Sequence, residues 1–350
     1  MEDSIKYFRE LQRNCSSQLY GNLEEVLMYR KKQLNLNDKK LKKIVKKFKN
    51  RSFLKYEEKL YNQKIAKPFL DVLPLEVSEK LRDVYIGILP TYKINASATK
   101  APHGKPIIKL HCQLMTAIAH YNETQMLYGE ISKNSEANDD FLCKSYLEIC
   151  NCFIYQPYLP KMSLLPPLLN QEKLQLVYRK TFLHELFIIA HEYAHIYLGH
   201  LEIKTEDKTL MQKCELDADL QAVKWIFEAI NNKKMKGFQS LPYYFAIEIF
   251  VLFHILEVNS STYNDDKIIT DLHKKLTPEE YCMRKMNLIN EYINLINKDL
   301  ITNDHDHPKA VVRLVNILVN TKDLIDEEGQ RFLLGMLHNV VYYETFKLNS

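Results

Sequence analysis

A histidine-rich stretch at residues 183–200, LHELFIIAHEYAHIYLGH, constrains this chain more than any other feature. It contains the spacing H-E-x-x-H at His191, Glu192 and His195. On a helix the two histidines lie one turn apart on the same face, so both imidazoles can reach one metal ion. Glu192 is rotated about 100° from His191. Its carboxylate is therefore expected beside such an ion, where a general base belongs.

The residues around this motif predict one long helix. Asn170 is a typical N-terminal cap and Gly199 a typical residue just past a helix end, so the helix is expected to run from Asn170 to Leu198. His184 lies about 10.5 Å from the metal-binding turn along that axis, so we expect it to pack in the core or line a cleft. His200 starts the segment after the helix and is not expected to bind the ion.

The third ligand decides the type of site, because a catalytic zinc has three protein ligands and one open position. A third histidine six residues after His195 is one solution, but that position is Leu201. The other solution is Glu215, in the segment CELDADLQAVKWIFEAI, whose apolar stripe is typical of a helix. Asp219, one turn further on the same face, could accept the free N–H of a zinc-bound histidine. A solvated acidic helix edge is the alternative for both carboxylates.

The segments HEYAH and ELDAD together resemble the pattern H-E-x-x-H … E-x-x-A-D of gluzincin-type zinc endopeptidases. That family includes the membrane-bound CAAX-type proteases and their soluble relatives. HEYAHIYLGH is also similar to the ImmA/IrrE-type bacterial peptidases and, more loosely, to Lit-type phage-exclusion proteases. The resemblance implies a zincin-like core in which His191, His195 and Glu215 bind one Zn²⁺ ion. It also implies that Glu192 activates a zinc-bound water for attack on a peptide bond.

Two further segments extend the resemblance. INASATKAPHGKPIIKL resembles the family's edge strand, which lines the substrate cleft. This implies that Asn95, Ala96 and Ala98 bind a peptide substrate through main-chain hydrogen bonds. HPKAVVRL resembles the family's H-P-x-x-x-x-R-I element, with His307 and Arg313 at the matching positions.

A histidine opposite the zinc has a chemical use, because peptide hydrolysis builds negative charge on an oxygen that a hydrogen-bond donor stabilises. The segment NDHDHP offers His305 and His307, and the resemblance favours His307. A loop histidine without a role is the alternative. The resemblance also suggests that Arg313 pairs with an acidic residue such as Asp219 and ties the last helix to the metal site.

Composition and patterning predict an α+β protein that is predominantly helical with a small sheet. Eight glycines and twelve prolines in 350 residues favour helices over tight turns. Residues 1–90 are expected to form a helical N-terminal region and residues 91–350 the zinc peptidase domain, with two short strands from about residue 91. Further helices are expected at about 210–231, 241–258, 278–297 and 309–321.

The most apolar run, at residues 241–258, is interrupted by Glu248 and His254, so we expect a buried helix and no membrane span. The first residues are charged throughout and do not resemble a signal peptide. Seven cysteines at irregular spacing, without a C-x-x-C pair, are typical of free thiols in a reducing compartment. These features predict a soluble, cytoplasmic protein.

A lysine-rich segment from Lys39 to Arg51 carries eight basic residues on a predicted amphipathic helix. A solvated surface is the plain interpretation, and a docking surface for an acidic protein, a nucleic acid or an anionic membrane is the alternative. The net charge of +4 is too small to indicate a nucleic-acid partner by itself, so nucleic acid is not expected.

The sequence therefore predicts a zinc-dependent endopeptidase that acts on a protein or peptide substrate, with Glu192 and His307 as catalytic residues. The alternative is a metal-binding regulatory or interaction protein, related to defence or stress, whose proteolysis is conditional or lost. An intact Glu192 favours the enzyme, because a purely structural metal site has no use for a base there. A helical scaffold with a chance motif is the third interpretation.

Overall fold

The structure of the chain is a computed structural model that describes residues 2–20, 37–49, 52–91, 93–133, 170–231, 243–262 and 308–347. The chain divides into two compact units, Met1–Tyr197 and Leu198–Ser350. In the described residues, the first unit combines helices with a three-stranded sheet and the second unit is helical. The predicted α+β fold with a predominance of helix is confirmed. The predicted domain boundary at residue 90 stays a prediction.

The first unit begins with helices and continues into the sheet. The elements before the sheet are α1 (Glu2–Tyr20), α2 (Asp38–Lys49), α3 (Ser52–Leu60), a π-helical turn (Tyr61–Ala66), α4 (Lys67–Leu70) and α5 (Leu75–Leu81). The sheet and the helices after it are β1 (Tyr85–Leu89), β2 (Ala96–Lys100), β3 (Pro106–His111), α6 (Cys112–Lys133) and α7 (Gln171–Tyr197).

The strand β1 lies in the region that the sequence predicted to be helical, so that part of the prediction is wrong. Its sequence, YIGIL, is buried at every position. A short apolar run without polar alternation has no periodicity that distinguishes strand from helix. Its partner β3 follows only after β2 in the chain, so the parallel pairing that defines β1 is a non-local contact.

The central strand of the sheet is β3, with β1 parallel to it on one side and β2 antiparallel on the other. The N–H of His111 donates to the carbonyl of Asn95, and the N–H of Ala101 donates to the carbonyl of Lys105. These contacts mark the hydrogen-bonded pairs of the antiparallel ladder, and such pairs alternate along it. The N–H and C=O groups of the even-numbered residues of β2 therefore point away from β3, towards the edge of the sheet.

Side chains close the edge of β1. The Asn62 carboxamide donates to the carbonyl of Ile86 at 2.7 Å and accepts from its N–H at 3.2 Å, as a neighbouring strand would. Two residues further, Gln12 donates to the carbonyl of Ile88 at 2.7 Å, and Glu58 accepts from its N–H at 3.3 Å. The open edge is that of β2, where no described strand pairs.

Packing on the sheet differs between its two faces. On one face the ring of Phe8 in α1 occupies the space beside Gly87, where an added Cβ would lie 2.3 Å from the ring. On the opposite face, Ile86, Ile108 and Leu110 are fully buried. Helices α6 and α7 both contact β3, and α7 also contacts β2. The sheet therefore supports helix α7, which carries the H-E-x-x-H motif.

The second unit consists of helices in its described residues. They are a 3₁₀ turn (His200–Glu202), α8 (Lys208–Asn231), a 3₁₀ segment (Tyr243–Glu248), α9 (Ile249–Thr262), α10 (Ala310–Thr321) and α11 (Glu327–Lys347). Helix α10 contacts α8, α9 and α11, and Val311 and Leu314 on it are fully buried. It is therefore the central helix of the described part of this unit.

Most helix predictions for this unit are confirmed where the chain is described. The helices predicted at 210–231 and 309–321 are observed within two residues of those boundaries. In the run predicted as one buried helix at 241–258, the described residues form a 3₁₀ segment followed by α9. The helix predicted at 278–297 lies outside the described residues. None of the described helices is both long enough and apolar enough to cross a bilayer.

Candidate metal site

Helix α7 places the H-E-x-x-H motif in its last two turns. The side-chain oxygen of Asn170 accepts a hydrogen bond from the N–H of Lys173 at 3.0 Å and caps the first turn. Gly199 follows the last turn with a φ of 79°, a left-handed conformation that glycine adopts without strain. Asn170 and Gly199 therefore mark the two ends of the helix, as predicted. Capping residues act within one turn, so the local sequence is enough to predict them.

His191 and His195 face each other across one turn of α7. Their Nε2 atoms are 3.0 Å apart, and their rings are inclined at 77°. Glu215, the third predicted ligand, is partly exposed on α8. Two imidazoles this close either share one proton or direct two lone pairs at one cation. Together with the predicted ligand Glu215, the two histidines form a donor set that fits zinc.

Glu192 lies between the two histidines in the sequence and makes a contact of its own. It is 5% exposed, and its Oε2 accepts a hydrogen bond from the main-chain N–H of Ala98 in β2. The predicted general base is therefore in direct contact with the open edge of the sheet. This contact joins two segments that the sequence linked only through the family resemblance.

Two of the three residues predicted to bind substrate, Ala96 and Ala98, lie in β2, and Asn95 directly precedes it. Ala96 and Ala98 direct main-chain groups towards the open edge, as a strand that binds an extended peptide must. Asn95 is exposed and precedes the strand, and its carbonyl accepts a hydrogen bond from the N–H of His111 at 3.2 Å. The Asn95 carbonyl therefore faces β3, and its side chain is the group that could contact a ligand.

Asp219 lies one helical turn after Glu215 on α8 and is fully buried. Its two oxygens accept hydrogen bonds from Nε and Nη2 of Arg313 in α10, both at 2.6 Å. The guanidinium also lies over the rings of Phe250 and Phe253, 5.1 and 5.3 Å from their centroids. Burial by itself lowers the pKa of Arg313, but the Asp219 carboxylate outweighs it and raises that pKa. The pair that the resemblance suggested is thus present, and its arginine stays charged.

Of the remaining histidines in the sequence prediction, the structure describes His184 but not His305 or His307. His307 and its alternative His305 lie outside the described residues. Helix α10 begins three residues after His307, at Ala310, whose N–H donates to Glu257 at 2.8 Å. His184 is fully buried, with Nδ1 3.1 Å from the side-chain nitrogen of Asn122, so of the two expected places, the core and a cleft wall, it occupies the core.

Sequence patterning does not single out the basic side chains of β3. Lys109 is partly buried, and burial lowers its pKa; the charge of Glu192 opposes this effect and Lys93 adds to it. Burial together with Lys93 and Lys109 lowers the pKa of His111 to about 4. The one signal in the sequence is a lysine placed between apolar residues, in IIKL, and that pattern is common in half-buried strands.

Comparison with known families shows a similarity to a peptidase family. Residues 156–268 match the model of the family Peptidase U49, and this segment contains the H-E-x-x-H motif and Glu215. The match supports a proteolytic function. A peptidase acts on a protein or peptide substrate. The matched residues make up less than half of the chain. No curated protein and no solved structure matches the chain.

Proposed function

We propose that this chain is a zinc-dependent endopeptidase in which His191, His195 and Glu215 hold one Zn²⁺ ion. The observation that carries the proposal is the pair of imidazoles on α7, whose Nε2 atoms lie 3.0 Å apart and can both face one cation. Two imidazoles and a carboxylate are the ligands of catalytic zinc sites that keep a fourth position open. The similarity of residues 156–268 to a peptidase family supports the proteolytic part of the proposal.

Glu192 is the general base of the proposed reaction. A zinc ion in such a site supplies Lewis acidity, which lowers the pKa of a water and polarises a carbonyl oxygen. Glu192 takes the proton of the attacking water and passes it to the leaving amide nitrogen. Its burial and its hydrogen bond from Ala98 hold the carboxylate beside the sheet edge. A peptide bound along β2 therefore passes the base.

The substrate binds as an additional strand on the open edge of β2. The N–H and C=O groups of Ala96 and the C=O group of Ala98 point to that edge and pair with the peptide main chain. The edge of β1 is closed by Asn62, Glu58 and Gln12, so it does not compete for the peptide. The small side chains of the alanines leave room for the substrate's own side chains.

Asp219 and Arg313 position the metal site and do not react. Asp219 lies one turn from Glu215 on α8, and its ion pair with Arg313 holds that turn against α10. His307, just before α10, is the proposed donor to the oxygen that becomes negative in the transition state. A donor of this kind contributes about 3–4 kcal/mol in a comparable site.

Metal content and cleavage test the proposal separately. Purified wild-type protein should contain close to one zinc ion per chain, and His195→Ala should lose it. Glu192→Gln should keep the zinc and lose cleavage, because the amide cannot take a proton. The control is Glu206→Gln, an exposed glutamate between α7 and α8, which should cleave like wild type.

Cleavage is measured by comparing the protein fragments in cells that express wild type, Glu192→Gln or Glu206→Gln. Fragments present with wild type and Glu206→Gln but missing with Glu192→Gln identify the substrates. Absence of zinc from the purified protein would contradict the proposal. Bound zinc with no fragments that depend on Glu192 would instead support a metal-binding regulatory protein.

A further inference from the structure

Lys109 belongs to a row of residues that crosses the sheet towards its open edge. The strand register pairs Gly87 with Lys109 and Lys109 with Ser97, so the three residues share one face. The ring of Phe8 covers this row at Gly87. At the other end Ser97 is small, and beyond it lies the open edge of β2. The row is therefore covered at Gly87 and carries only a small side chain next to the proposed substrate strand.

The charges around this row are unbalanced. Lys109 is partly buried, and no described residue forms a hydrogen bond or ion pair with its ammonium group. The neighbouring Lys93 is also positive, and its repulsion contributes to the lowered pKa of Lys109. By contrast, Lys105 in the adjacent turn has Asp83 at 3.9 Å. In the described structure, no acidic side chain is thus in direct contact with Lys109, although Glu192 attracts it from a longer distance.

We propose that Lys109, with Lys93 beside it, selects substrates that carry an acidic side chain close to the cleaved bond. The inference rests on the proposed function, because it takes β2 as the strand that binds the peptide. A strand added to β2 lies two strand spacings, roughly 9.6 Å, from β3. Its residue opposite Ser97 directs its side chain onto the row of Lys109, and a long lysine and a glutamate together span that distance.

The contact of Glu192 with β2 indicates how far the acidic residue of the substrate lies from the cleaved bond. Glu192 contacts Ala98, which is the neighbour of Ser97 in β2. The substrate residue opposite Ser97 therefore lies within a residue or two of the bond that reaches the base. Partial burial weakens the competition of water, so an ion pair with Lys109 discriminates more than a pair on a solvated surface.

The test measures peptide binding without cleavage. It uses the full chain with zinc and the substitution Glu192→Gln, so that the probe is not consumed. The probes are fluorescein-labelled alanine–serine peptides with one glutamate placed at each position in turn, and the same set with glutamine. At one position or more, the glutamate peptide should bind about tenfold more tightly than its glutamine partner. The difference should shrink as sodium chloride is raised, because salt screens the pair.

Three substitutions in the Glu192→Gln background test whether Lys109 causes the preference for the glutamate peptide. Lys109→Gln should reduce it to about twofold or less, whereas Lys109→Arg should retain it because the charge is kept. Lys105→Gln is the matched control: it removes an exposed lysine of the same hairpin and should leave the preference unchanged. Should Lys109→Gln lower the melting temperature, Lys109→Met supplies a second neutral side chain with a similar apolar stem.

Equal binding of the glutamate and glutamine peptides, including no measurable binding of either, would overturn the proposal. A preference that survives in both Lys109→Gln and Lys109→Met would overturn it as well. Cleavage of the same peptides by the zinc-loaded wild type is scored separately. Peptides that bind with the predicted preference but are never cleaved would reject the proposed peptidase and retain the role of Lys109 in binding acidic peptides.

Discussion

The hydroxyl of Tyr61 donates a 2.7 Å hydrogen bond to Oε1 of Glu185 and so joins the π-helical turn to helix α7. Burial raises the pKa of Glu185 to about 8; the Tyr61 hydrogen bond opposes the rise and the Glu57 carboxylate adds to it. An exposed glutamate has a pKa of 4.5. Between these values Glu185 is protonated in the folded protein and ionised in the unfolded chain.

The free energy of unfolding should therefore contain a contribution from Glu185 that falls as the pH rises from about 4.5 to about 8. In this window the folded state binds more protons than the unfolded state, so stability decreases with pH. The contribution is fully present below pH 4.5 and is lost once the pH passes the folded-state pKa. Glu185→Gln should remove this slope and be more stable than wild type above pH 8.

Thermal denaturation of both proteins across this pH range checks the prediction. The difference between the two melting curves isolates Glu185 from the other titrating groups. Glu79→Gln, an exposed glutamate of α5, is the control and should follow wild type at every pH. A constant difference between wild type and Glu185→Gln at all pH values would rule out the proposed titration.

Breaking the ion pair between Asp219 and Arg313 should destabilise the protein strongly. Asp219→Ala leaves the arginine, whose side chain is 11% exposed, without its carboxylate, and removal of one partner of a buried pair costs about 3–5 kcal/mol. Arg313→Lys should cost less but not be neutral, because an ammonium group cannot reproduce the two parallel hydrogen bonds. Urea denaturation measures both values.

The control for that pair is Arg331→Ala. Arg331 and Glu327 form an exposed pair on α11 at 3.8 Å, and its loss should change stability by less than about 0.5 kcal/mol. Equal losses of stability in Asp219→Ala and Arg331→Ala would show that the buried ion pair contributes no more to stability than the exposed pair.

Gly87→Ala should destabilise the first unit, because the added Cβ overlaps the ring of Phe8 at 2.3 Å. Overpacking of this kind typically costs about 1–3 kcal/mol. The cost should be smaller in a Phe8→Leu background, where the clash is relieved. Gly335→Ala in α11 is the control, since its Cβ meets nothing within 4 Å and should stabilise the helix. A neutral Gly87→Ala substitution would contradict the tight contact.

Removal of the proposed zinc should lower the melting temperature of wild type. A ligand present at about a thousand times its Kd stabilises the folded state by about 4 kcal/mol. Glu215→Gln should respond much less to a chelator, because the amide is a poor zinc ligand. Asp217→Asn, an exposed neighbour on α8, should respond like wild type. The measurement is differential scanning fluorimetry with and without chelator, and equal shifts for all three proteins would exclude Glu215 as a ligand.

The sequence by itself determined the local part of the site. The H-E-x-x-H spacing places His191 and His195 on one face of α7, and the helix begins after Asn170 and ends before Gly199, as predicted. Helical periodicity and capping act over three or four residues, so they can be read without knowledge of the fold. The fold class followed similarly from composition and patterning.

Only the tertiary structure decided which distant segments meet. The contacts of Glu192 with Ala98 and of Asp219 with Arg313 each join residues 94 positions apart. The pairing of β1, the closure of its edge by side chains, and the position of Lys109 one strand away from the open edge also depend on such contacts. Packing between remote segments depends on the whole chain, whereas a local pattern records only which face of its own element a residue occupies.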